Sequence, residues 1–244
     1  MELYNGIIKE VKASLIAQGP KTWAFDKYAA WHDLGHSELV LTRDAAFELG
    51  GGSNPAANFT CVTTDPDLVP ENSVSLVGPD LSAIRGDTPF VRIVMLHVNS
   101  IGDDDQEAFK TIRDMEFVKY HVFPEGYMMR VSPENQREQV RVSKQAVKKG
   151  ISFKAVGDDF IAKYLENGRI DHVSITFVVG DMALCKGLEA TAKKVDTLTM
   201  TLNHIMDGLS TDCTSCSFKQ VCDEVEGLKE LHFKKGEGPM DLGK

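Results

Sequence analysis

Apolar side chains recur at helical spacing in the first twenty residues. In NGIIKEVKASLIAQ, from Asn5, the residues Ile7, Ile8, Val11, Leu15 and Ile16 share one face. Gly19 and Pro20 stop that helix. The next stretch, KTWAFDKYAAWHDLGH, is aromatic-rich and is expected to be helical in part. From Glu38 the period changes. ELVLTRDAAFELGGGSNPAANFTCVTTDPDLVP predicts strand, turn and strand, broken at Gly50-Gly51-Gly52. SVSLVGPDL is a short strand ending in a Gly-Pro turn. FVRIVMLHVNS is β-branched, apolar and long enough for the interior of a sheet. DDDQEAFKTIRDMEFVKYHVF then predicts a helix that turns Ala108, Ile112, Met115, Phe117, Val118 and Val122 to the sheet.

The second half continues the alternation. Two extended pieces flank Pro133-Glu134-Asn135, and SKQAVKKG is a short helix closed by Gly150. A helix over VGDDFIAKYLENG, a strand over IDHVSITFVV and a long helix ending at Gly208 follow. The expected fold is α/β (α+β), a mixed sheet packed with helices. Residues 1–36 are expected to form a helical N-terminal arm, 37–208 the α/β core, and 209–244 a cysteine-rich, metal-binding appendage.

Composition narrows the function classes. The chain has 244 residues and a formal net charge of −9, which argues against a partner whose phosphates need a basic face. No stretch approaches the ~20 apolar residues of a membrane span, and the charged N-terminus does not read as a signal peptide. A cytoplasmic protein is expected, in which the acceptor pattern Asn58-Phe59-Thr60 carries no glycan.

The cysteines are unevenly spread. Cys61 and Cys185 read as small buried hydrophobes. The other three, Cys213, Cys216 and Cys222, fall within DCTSCSFKQVC, and His232 follows ten residues after the last. The C-x2-C-x5-C spacing lets three thiolates reach one metal or cluster. One further ligand completes a tetrahedral zinc site or the four corners of a [4Fe–4S] cluster, and His232 suits either. Spacing alone leaves both open, along with a loop that binds no metal. Other candidates are weaker. His32 and His36 are four apart but have Gly35 between them and no adjacent third ligand. The triple glycine lacks the GKS/GKT ending and the GxGxxG spacing of phosphate-binding loops, so a tight loop is expected. Asp158-Asp159 reads as the acidic start of a helix.

Several segments, in order, resemble acetyl-CoA synthase, the β subunit of the CO dehydrogenase/acetyl-CoA synthase complex. AFELGGGSNPAANF is similar to that family's F-x-E-x-GG segment, and VSLVGPDLSAI to its VEVIGPD-type strand and turn. VRVSKQAVKKGISFKAVGDDFIAKY resembles its VRISK-x-A-x-x-KG segment, and IDHVSITFVV the strand after it. The resemblance covers roughly residues 45–235, the middle domain and the start of the metal-binding domain. It implies that Cys213, Cys216 and Cys222 hold an iron–sulfur cluster, with His232 where the family's fourth cysteine stands.

The departures matter as much. The Cys-Gly-Cys tripeptide that holds nickel in the family is absent, and GYMMRVSPENQREQVRVS lacks the tryptophan associated with coenzyme A. That region keeps Arg130, Arg137 and Arg141, which read either as holders of coenzyme A phosphates or a partner's carboxylates, or as ordinary charges on an exposed hairpin. The resemblance therefore implies a stand-alone iron–sulfur relative, a redox or partner-docking protein of anaerobic one-carbon and corrinoid metabolism. Its partners would be a corrinoid protein or a CO dehydrogenase-like protein, with a homodimer left open. The alternatives are a CO-methylating, acyl- or methyl-transferring enzyme that binds nickel and coenzyme A, and a non-catalytic module with structural zinc.

Overall fold

A computed structural model describes residues 3–29, 31, 39–102, 105–132 and 136–206. Eight strands form two sheets. The larger contains β1 (Lys21–Ala24), β3 (Ala56–Thr63), β4 (Ser73–Val77), β5 (Phe90–Val98) and β8 (Ile170–Val179), in the order β1-β4-β8-β5-β3. Its pairings alternate: β1 with β4 and β8 with β5 are antiparallel, and β4 with β8 and β5 with β3 are parallel. The smaller sheet is β2 (Ala45–Leu49), β7 (Arg137–Ser143) and β6 (Tyr127–Ser132), antiparallel throughout. The expected mixed sheet packed with helices is therefore present.

Local chemistry explains the helices. α1 (Asn5–Ile16) buries Ile7, Ile8, Val11 and Leu15 and leaves Ile16 exposed. α3 (Lys144–Lys149) starts at Ser143, whose hydroxyl accepts from Ala146 N, and ends at Gly150 in the left-handed region. Ser152 caps α4 (Phe153–Tyr164) in the same way through Ala155 N. α4 lies on β4 and β8, and Phe153 stacks with Phe90 and Phe177 there. Gly157 permits this approach, because a Cβ would lie 2.6 Å from Val74 Cγ2. α2 (Asp105–Phe117) and α5 (Met182–Met206) pack against each other, and α5 crosses β3. Tyr4, just before α1, bonds Thr199 of α5 at 2.9 Å.

Three expectations change. Residues 21–24, expected to be helical in part, form the edge strand β1, because their backbone completes a ladder on β4 in which Trp23 pairs with Val74. Asp158 and Asp159 lie in the middle of α4 rather than at its start, and both are buried. The helix begins five residues earlier than Asp158, at the Ser152 cap; Lys154, one turn back, ion-pairs with Asp158. Phe117 is exposed rather than turned to the sheet. α2 ends there, and a 3-10 turn over Val118–His121 buries Lys119 instead.

The two sheets meet at an ion pair. Arg92 of β5 and Glu138 of β7 are 1% and 0% exposed. Arg92 Nε donates to Glu138 Oε1 at 2.9 Å and Nη2 to Oε2 at 2.5 Å. The guanidinium lies 4.4 Å from the ring centre of Phe160. Burial lowers the Arg92 pKa, but the Glu138 carboxylate outweighs it and raises the guanidinium above its ordinary value. Replacing one member leaves a bare buried charge. Arg92→Met is expected to destabilise the fold by about 3–5 kcal/mol in urea denaturation, and Arg92→Met/Glu138→Leu to recover much of that loss.

Candidate functional site

The outward face of the small sheet gathers the predicted arginines. Arg137 and Arg141 alternate with the buried Glu138, Val140 and Val142 along β7, so they share the exposed side with Gln139. Arg130 of β6 stands opposite Gln139 and joins the same face. The three guanidinium groups are not equivalent. Arg141 Nε donates to Glu48 Oε1 at 2.5 Å across the β2–β7 pairing. Arg137 Nη2 donates to the carbonyls of Gly50 (2.7 Å), Gly52 (2.9 Å) and Asn54 (2.9 Å). Its Nη1 lies 3.9 Å from Glu189 of α5. Arg130 is exposed and has no ion pair among the described residues.

The triple glycine belongs to this arrangement. Gly50 and Gly52 have φ of +63° and +60°. A Cβ on Gly50 would lie 2.4 Å from Ala56 Cβ and 2.9 Å from the Glu138 carbonyl. The loop therefore sits where the two sheets touch, with Gly50 N donating to Thr88 O at 2.7 Å. A phosphate cradle turns N–H groups inward. Here three carbonyls converge on a cation, so the loop is a structural clamp, as its spacing predicts.

Behind this face lies a buried polar network that the sequence reading missed. Lys119 Nζ donates to Asn58 Oδ1 at 3.0 Å and to Gln136 Oε1 at 3.4 Å. Gln136 Nε2 donates to Asp196 Oδ1 at 2.9 Å, and its carbonyl accepts from Asn58 N at 2.8 Å. Burial lowers the Lys119 pKa from its ordinary value, although Glu116 opposes the shift. Burial raises Glu116, against the pull of Lys119 and Arg113. Asn58 is 1% exposed, which itself denies the glycosylation pattern a site. The available signal was a lysine and an arginine inside otherwise apolar runs, KYHVF and FVRIVM.

The predicted metal ligands Cys213, Cys216, Cys222 and His232 lie outside the described residues, as do His32 and His36. Among the described residues no three His, Cys, Asp or Glu side chains form a metal-holding group. Cys61 and Cys185 are fully buried, as expected of small hydrophobes. Burial raises both thiols, Cys185 to about 12 and Cys61 further. Burial thus favours the protonated thiol at both positions. No helix among the described residues is long and apolar enough to cross a membrane.

Comparison with known proteins extends the geometry. The family described as CO dehydrogenase/acetyl-CoA synthase complex beta subunit matches residues 34–184, more than half of the chain and nearly all of both sheets. The chain belongs to this family. A similar protein is the carbon monoxide dehydrogenase/acetyl-CoA synthase subunit alpha of Moorella thermoacetica, 22% identical over 159 residues. That match takes in 64% of this chain and 21% of the Moorella subunit. The chain thus spans about a fifth of the length of this relative.

The clamp can be tested at its tightest point. Gly50→Ala is expected to cost at least about 2 kcal/mol of unfolding free energy, from a positive φ and a steric clash together. Gly52→Ala, with open space around its Cβ position, is expected to cost less. Denaturation midpoints of the two variants check the difference.

Proposed function

We propose that the chain is an iron–sulfur member of this family that serves as a redox or partner-docking protein in anaerobic one-carbon metabolism. The observation that carries the reading is the family match over residues 34–184 followed by three clustered cysteines. Cys213, Cys216 and Cys222 supply three thiolates for a [4Fe–4S] cluster, and His232 the fourth ligand. The burial of Cys61 and Cys185 supports His232, because both alternative thiols are enclosed in the core of the sheet unit. The partners are a CO dehydrogenase-like or corrinoid protein, in keeping with the complex named for the family, and the compartment is the cytoplasm.

The arginine face supports docking better than coenzyme A binding. Arg137 and Arg141 already hold backbone carbonyls and Glu48, so a phosphate would have to displace internal partners. Among the described residues Arg130 makes no such commitment. It fits a carboxylate presented by a partner protein. The acyl-transfer reading needs a nickel site beside the cluster, which metal analysis detects directly.

Metal analysis of protein purified without oxygen tests the proposal. Near four iron and four sulfide per chain, without nickel, is the expected result. Zinc alone after attempted iron reconstitution would replace it with a structural site, and nickel alongside iron would revive the enzyme. Cys213→Ala, Cys216→Ala and Cys222→Ala are each expected to lose the cluster while the α/β core stays folded by circular dichroism. Retention of full iron in all three would refute the ligand set. His232→Cys is expected to keep the cluster and lower its potential, since histidine ligation raises it. An unchanged spectrum and potential would remove His232.

A further inference from the structure

The larger sheet has two edges that end differently. β3 meets the smaller sheet, where Asn58 N donates to the Gln136 carbonyl at 2.8 Å. β1, at the other end, is open. Lys21, Thr22 and Ala24 are exposed, and Trp23 is half-buried. Phe25 N donates to Asn72 O at 3.0 Å, which puts Phe25, Trp23 and Lys21 in the hydrogen-bonded pairs of the β1–β4 ladder. The N–H and C=O groups of Thr22 and Ala24 therefore point away from β4. None of them has a hydrogen-bond partner among the described residues. Such an edge is a template for another strand. A lysine often blocks an edge of this kind, but Lys21 folds back over the Trp23 ring at 4.7 Å. Ile16 is exposed and lines one hollow with Pro20 and Thr22, which leaves an apolar shoulder beside the strand.

The open window is short and matches itself. Setting Thr22 opposite the partner's Ala24 in an antiparallel pair turns every outward N–H of each copy onto an outward C=O of the other. Trp23 then stands opposite the partner's Trp23 on the two-fold axis, at a position where cross-strand side chains lie close. The neighbouring registers fail. One sets Ala24 opposite the partner's Pro20, which has no N–H to give. The other sets Thr22 opposite the partner's Asp26, whose N–H already donates to Asp158 Oδ1 at 3.4 Å. In the matching register Lys21 lies opposite the partner's Phe25, so like charges do not meet. A longer strand from another protein would overrun the window at Pro20 and at Asp26, whereas a second copy fills it.

We propose that β1 is the dimer interface of this protein, pairing two copies antiparallel about Trp23 and joining their larger sheets into one. The contact is isologous and closes at two chains. It leaves the arginine face and the cysteine segment to other partners.

Sedimentation velocity of the full-length protein over a dilution series, together with residue-resolved amide exchange, tests the proposal. A species of twice the 26.9 kDa chain mass is expected, dissociating on dilution. The Thr22 and Ala24 amides are expected to exchange at least about tenfold more slowly in the dimer than in the diluted monomer. Those of Trp23 and Phe25, bonded to β4 in both states, are expected to change little. Ala24→Pro removes an outward N–H and none of the bonds to β4, and is expected to weaken dimerisation at least about tenfold. If Ala24→Pro fails to fold, the exchange pattern of the unaltered chain decides alone. A monomer at every concentration would overturn the proposal and leave the edge to an extended segment of another protein. A dimer in which the Thr22 and Ala24 amides stay unprotected, or one that a folded Ala24→Pro leaves intact, would place the interface elsewhere.

Discussion

A bidentate ion pair with almost no exposure joins two separate sheets. Arg92 comes from the nine-residue strand β5 of the larger sheet, and Glu138 from the middle strand of the smaller. Apolar packing alone would let the sheets slide, because it is insensitive to direction. Two parallel hydrogen bonds between a planar guanidinium and a carboxylate are directional. They set where β7 stands against β5. Much nearby follows from that placement. The Glu138 carbonyl crowds Gly50, Arg137 beside it gathers the glycine loop, and Gln136 two residues earlier reaches Asn58 of β3. Phe160, Tyr127 and Tyr164 shield the pair from water and keep it strong.

The same constraint divides β7 into two roles. Its even positions, Glu138, Val140 and Val142, build the joint, and its odd positions, Arg137, Gln139 and Arg141, build a basic surface. Such alternation is the ordinary period of a strand. On the surface, Arg137 and Arg141 are stiffened by contacts to the loop and to Glu48, while Arg130 stays exposed on the neighbouring strand. Inside, Lys119 of the turn after α2 bonds Asn58 and Gln136 beside the joint. The family match covers this two-sheet unit, and the clustered cysteines follow it in sequence.

Much of the fold was legible in the chain. Alternation and β-branching marked β3, β4, β5 and β8, and Gly150 marked the end of α3. Where the reading failed, tertiary pairing had overridden a local pattern. KTWA lies in a stretch expected to be helical in part, but Thr22 and Trp23 suit a strand and its backbone completes an edge ladder on β4. Phe117 matched the apolar face of α2, yet the helix gives way to a 3-10 turn at the next residue, and the rotation of the chain buries Lys119.

The sequence by itself determined most of the elements, the burial of Cys61 and Cys185, the clustering of Cys213, Cys216 and Cys222, and the resemblance that the family match upholds. These are local or collinear properties, written in the order and spacing of residues. Only the tertiary structure decided that Arg137 and Arg141 have internal partners, and that Arg92, Lys119, Tyr127 and Glu138 meet around one joint. Arg92 and Glu138 are separated by 46 residues in the chain and become neighbours when two sheets pack. A charge in an apolar strand announces that a partner is needed. The partner's identity follows from which strand lies across the interface, and single-sequence periodicity carries no record of that.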